Sequence, residues 1–108
     1  MAEPTLQQVF GANATQNSTT LTITKADLLT LTASSGNTAE SLLTAILLTA
    51  KSYLTTANQD ANADQSVTIS DGFVPSFTIR NNVTYRQDDL TVSLQKAAGS
   101  TALDADDY

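Results

Sequence analysis

The stretch Asn37 to Asn58, NTAESLLTAILLTAKSYLTTAN, decides the fold. Leu43, Ile46, Leu47, Ala50, Tyr53, Leu54 and Ala57 recur at spacings of three and four, which places all seven on one face of a helix. Ser41, Thr44, Lys51, Ser52 and Thr55 fall on the other side. Asn37 is placed to cap the N-terminus, Glu40 three residues on can return the bond, and Gly36 lets the chain turn in. Asn58 is a reasonable stop. The pattern predicts one long amphipathic helix. Leu48 departs from it, because it sits among Thr44, Lys51 and Thr55 on the side that should be wet. Two readings stand: an isolated exposed leucine, which is ordinary on a protein surface, or a helix contacted on a second side by a neighbouring subunit.

Short alternating runs flank this helix. Thr19 to Thr24 places Leu21 and Ile23 on one face of a strand, and Thr24-Lys-Ala-Asp27 has the form of a capping box opening a single turn. Downstream, Gln65 to Ser70 carries Val67 and Ile69 on one face, and Asp71-Gly72 marks a turn. Ser76 to Arg80 and Val83 to Arg86 read as a hairpin closed by Asn81-Asn82, since Asn tolerates positive φ. Leu90, Val92 and Leu94 then alternate with the opposite parity to Val83 and Tyr85, which points to one long strand with a bulge at Gln87–Asp89. The expected architecture is α+β: one long amphipathic helix packed on a small antiparallel sheet of four or five strands. Residues 19–96 form this domain. Residues 1–18 form an extended N-terminal arm, in which Leu6, Val9 and Phe10 are spaced to anchor it as a helical turn or to dock it on a neighbour. Residues 97–108 form a flexible acidic tail with Asp104, Asp106 and Asp107.

Composition narrows the chemistry. The 108 residues include no Cys and no His, so thiolate metal sites, disulfides and the commonest general base are all excluded. A net charge of −6 disfavours nucleic acid and anionic membrane surfaces as partners. No run approaches the length of a membrane-spanning helix, and the opening MAEPTLQQVFGANATQ lacks the basic start and apolar core of a signal peptide. Thr is abundant, at 18 residues, and suits half-buried pleated surfaces that meet other protein with few desolvated ions.

One stretch has a spacing with chemical meaning. Asp60, Asn62 and Asp64 match the first, third and fifth positions of a calcium loop, Val67 the apolar eighth, and Asp71 the twelfth. Against this, Gln65 stands where a sharp turn needs Gly, Asp71 is short for a bidentate ligand, and a strand follows rather than a second helix. A polar linker is the plain alternative. Asp88 and Asp89 are adjacent, so on a strand they point to opposite faces and share no site.

Three stretches, Leu21-Thr-Ile-Thr-Lys-Ala-Asp-Leu28, Asn37-Thr-Ala-Glu-Ser-Leu-Leu43 and Arg80-Asn-Asn-Val-Thr-Tyr-Arg86, resemble small uncharacterised proteins of cyanobacteria and their tailed phages. The resemblance implies a context and no functional residue: a virion protein, made in the host cytoplasm and not exported through a signal peptide, such as a capsid cement or decoration protein. The expected function is accordingly non-enzymatic and structural. It involves a homo-oligomer (a trimer first) and other virion proteins such as the major capsid protein, with contacts through Leu6, Val9, Phe10 and Leu48, and no cofactor. The alternative is a small module holding Ca²⁺ or another ligand through Asp60, Asn62, Asp64 and Asp71.

Overall fold

In the computed structural model, which describes residues 4–72, 74–96 and 102–108, the central helix is shorter than its sequence pattern and is broken in two. Helix α2 runs Ala39–Tyr53 and is capped by Thr38, whose side chain accepts a bond from the Ser41 N–H. Asn37 is not the cap. Its side chain braces the preceding loop, accepting from the Ser34 N–H at 2.9 Å and donating to the Thr32 carbonyl at 3.0 Å. The chain leaves helical geometry at Leu54, and Thr55 caps a second helix, α3 (Thr56–Ala61), by accepting from the Asn58 N–H. Threonine hydroxyls compete with the helical ladder for backbone N–H groups, and here that competition divides the helix. The break is put to use, since the Leu54 carbonyl accepts the Ile69 N–H at 2.8 Å.

The buried stripe of α2 is also rotated from expectation. Ala45, Thr49, Ala50 and Leu54 are buried, while Leu43 is 57% exposed. A buried threonine is tolerated because its hydroxyl is satisfied twice: it donates to the Ala45 carbonyl at 2.7 Å and accepts from the Leu29 N–H at 2.9 Å. That second bond fastens the Leu28–Leu29 segment, with Leu28 buried, to the helix.

The N-terminal segment is folded, not extended. Thr5 and Gln8 form a reciprocal capping box on α1 (Leu6–Phe10), which packs on α2. The chain turns at Gly11, φ +112°, where a Cβ would lie 2.7 Å from that of Asp27. The Asp27 carboxylate accepts from both the backbone and side-chain N–H of Asn13. A small ribbon follows, β1 (Thr15–Gln16) with β2 (Leu21–Thr22), so only two residues of the expected Thr19–Thr24 strand pair. Lys25–Asp27 is a 3-10 turn, without the Thr24 side-chain cap that the sequence suggested.

The remaining strands form no four- or five-stranded sheet. They form two antiparallel ribbons, one nested in the other: β3 (Val67–Asp71) pairs β6 (Leu90–Leu94), and β4 (Ser76–Arg80) pairs β5 (Val83–Gln87). The β3/β6 ribbon lies against the helices, where Ile69 joins Ala50 and Leu54 in the core, with Val9, Tyr53, Val67 and Leu90 packed around them. Residues 97–101 of the expected tail lie outside the described residues. Beyond them Asp104 caps a 3-10 turn at Ala105–Asp107, and the Lys96 ammonium bonds the Ala102 carbonyl and sits over the Tyr108 ring.

Candidate interaction site

The β4/β5 hairpin owes its existence to local chemistry. Its strands are rich in β-branched and aromatic residues. Its turn is Asn81-Asn82, with φ of 50° and 62°, the two positive values that a right-twisted two-residue connection requires. The register pairs Phe77 with Arg86 and Ile79 with Thr84, so these four share a face. Thr78 with Tyr85 and Arg80 with Val83 share the opposite one, where the Arg80 guanidinium lies 4.2 Å over the Tyr85 ring. The structure puts Phe77 and Ile79 on one face and Val83 and Tyr85 on the other, and leaves both faces in solvent. Every residue of both strands is exposed, Phe77 and Ile79 at 71%.

A ribbon of two strands is only marginally stable in water without something to cover it. The whole molecule carries the same signature. Its accessible surface is 7819 Å², whereas a compact chain of 11.4 kDa has about 5,800 Å². Its radius of gyration is 16.2 Å, against about 13 Å for a compact domain of this length. The excess surface, about 2,000 Å², is more than the roughly 800 Å² that one partner gives to a standard protein interface.

At the root of the hairpin lies a cleft of about 650 Å³ between α2 and the junction of the two ribbons. Two residues, Asp88 and Asp89, separate β5 from β6, so the one long bulged strand expected across Gln87–Asp89 is instead two strands that belong to different ribbons. Gly72 donates its N–H to the Asp89 carbonyl at 2.7 Å, and a Cβ there would come within 2.8 Å of the Asp89 Cβ. The close approach therefore requires glycine. The floor of the cleft is apolar, from Leu47, Leu48 and Leu90, and its rim carries three carboxylates, Asp71, Asp88 and Asp89. Asp71 accepts from the Lys51 ammonium at 2.6 Å, Asp88 from the Arg86 guanidinium at 3.1 Å, and Asp89 from the Gln87 amide at 3.1 Å.

The residues singled out from the sequence fall in three places. Leu6, Val9 and Phe10 are half-buried on α1, with Val9 in the core cluster of the same chain. Leu48 is half-buried and lines the cleft. Asp60, Asn62 and Asp64 lie at the end of α3 and in the turn after it, while Asp71 stands at the far end of β3, about 13 Å of extended chain beyond Val67 and tied to Lys51. The structure does not bring these four together, and among the described residues no three acidic side chains gather into a metal-binding group. What the sequence did not disclose is the cleft itself. Its only trace was the change of parity across Gln87–Asp89. Compared with known proteins, the chain matches no family model, no curated protein and no solved structure.

Proposed function

We propose that this chain is a non-enzymatic assembly protein that works through protein–protein contacts, and that the β4/β5 hairpin is its principal contact element. The observation that carries this is a ribbon whose ten residues are all exposed, with Phe77, Ile79, Val83 and Tyr85 among them. Exposed apolar surface of this extent marks an interaction site. The surface in excess of a compact chain supports the same assignment. The resemblance of Leu21–Leu28, Asn37–Leu43 and Arg80–Arg86 to small cyanobacterial and cyanophage proteins sets the context. A tailed-phage virion is the setting we favour, with the chain as a capsid cement or decoration protein that self-associates, as a trimer in the first instance, and contacts the major capsid protein. A charge of −6 speaks against nucleic acid as the partner, and among the described residues no helix is long and apolar enough to cross a membrane.

The test is absolute mass by light scattering over a wide range of protein concentration. The native chain is expected to reach a closed oligomer, and the double variant Phe77→Ser, Ile79→Ser to remain a single chain with an unchanged circular dichroism spectrum. A native chain that stays monomeric throughout overturns self-assembly, and a double variant that assembles normally removes the hairpin from the interface.

A further inference from the structure

The charges of this molecule are segregated in a way that selects what the hairpin meets. Residues 74–87 contain Arg80 and Arg86 and no acidic residue, a segment of charge +2 in a chain of net charge −6, so the remainder carries −8. Among the described residues Arg80 has no carboxylate within ion-pair distance; its guanidinium rests on the Tyr85 ring alone. The cleft between α2 and the ribbon junction offers the complement, an apolar floor of Leu47, Leu48 and Leu90 beneath Asp71, Asp88 and Asp89. We propose that the β4/β5 hairpin of one copy docks in this cleft of a second copy, with Phe77 and Ile79 facing the leucine floor and Arg80, on the opposite face of the hairpin, level with the acidic rim at Asp89.

The hairpin does not fill its own cleft. It springs from the cleft's edge, where Pro75 and Asp88 belong to the lining, and its side chains remain in solvent. Charge also decides between the ways two copies could meet. Arg86 is paired with Asp88 and Lys51 with Asp71 inside the chain, so among the described residues the uncompensated charges of these two surfaces are Arg80 on the hairpin and Asp89 on the rim. Hairpin against hairpin sets Arg80 against Arg80 and cleft against cleft sets Asp89 against Asp89, whereas hairpin in cleft joins opposite signs. The two surfaces are different patches of one chain. Their contact gives a ring where its rotation closes, as a trimer requires, a reciprocal two-fold exchange, or an open filament where the rotation does not close.

This docking rests on the self-assembly proposed above, and mixing experiments separate the two. Arg80→Glu reverses the hairpin's charge and Asp89→Arg that of the rim; both positions are exposed, so the fold is kept. Each variant alone opposes like charges at the contact and is expected to associate at least tenfold more weakly than the native chain. In an equimolar mixture the reversed hairpin of the first variant meets the reversed rim of the second, and the native hairpin of the second meets the native rim of the first. Both contacts join opposite charges, and association is expected to recover at least tenfold. A second pair gives the apolar counterpart. Leu48→Asp spoils the cleft and Phe77→Asp with Ile79→Asp spoils the hairpin, so each alone is monomeric and the mixture forms a one-to-one complex through the intact cleft and hairpin that remain. If the native chain assembles but neither mixture recovers association, the hairpin–cleft contact is overturned and self-assembly stands. If the native chain never assembles, both fall.

Discussion

The two ribbons of this molecule are built alike and live differently. Each pairs two five-residue strands in antiparallel register, and each alternates apolar residues with polar ones along most of its length. Ile69 in the first is 5% exposed, and Ile79 in the second is 71% exposed. The difference is not in the strands. The β3/β6 ribbon has α2 and α3 over it and donates a hydrogen bond from its Ile69 N–H into the break between them. The β4/β5 ribbon lies beyond the kink at Gly72 and Asp88–Asp89, where the described residues of this chain supply no covering layer. A period of two says that a strand has two faces; it does not say what lies on either.

The sharpest way to break this contrast is a matched pair of truncations in the dilute chain. Ile69→Ala empties part of a core whose other buried apolar members are small or few, and is expected to cost about 2–4 kcal/mol in urea unfolding. Ile79→Ala removes atoms that already face water and is expected to change stability by less than about 0.5 kcal/mol. Equal losses at the two positions would mean that the hairpin packs against its own chain in solution, and the ribbons would no longer differ.

The buried side also depends on a polar group, and a second substitution measures how much. Thr49→Val keeps the volume and removes the oxygen that accepts the Leu29 N–H. Leaving that donor without a partner is expected to cost about 1–3 kcal/mol, seen as a lower urea midpoint with an unchanged slope. A neutral result would show that the Leu29 N–H finds water, and that the Leu28–Leu29 segment is looser than the ribbon it helps to enclose.

Much of the local structure was legible from residue types. The Asn81-Asn82 turn, the strands on either side of it and the apolar pairing of Val67 with Ile69 follow from period and turn chemistry. The helix was legible in its existence and not in its limits. A face of seven apolar residues runs on past Tyr53, but the hydroxyl of Thr55 takes the Asn58 N–H and restarts the helix in a new direction. Burial was harder to read. Leu43 fits the apolar stripe and faces solvent, while Thr49 looks polar and is buried, because α1 and the Leu28–Leu29 segment approach α2 from a side that periodicity alone does not identify. The cleft joins residues from 44 to 90, and such juxtapositions are set by how the ribbon bends, which no local spacing encodes.

The smallest effect tests whether the two ribbons are one folding unit. Both turn residues of the outer hairpin hold positive φ, a conformation that Asn tolerates and Gly adopts without strain. Asn82→Gly is therefore expected to strengthen the β4/β5 hairpin by about 0.5 kcal/mol, read as slower amide exchange across Ser76–Arg80 and Val83–Gln87. The β3/β6 amides report on the core, and their exchange is expected to stay as it was, because the kink between the ribbons isolates the outer one from the cooperative unit around Ile69. Slower exchange in both ribbons would mean that stability passes through the Gly72–Asp89 hydrogen bond, and the exposed hairpin would then be an outlying part of the core rather than a separate arm.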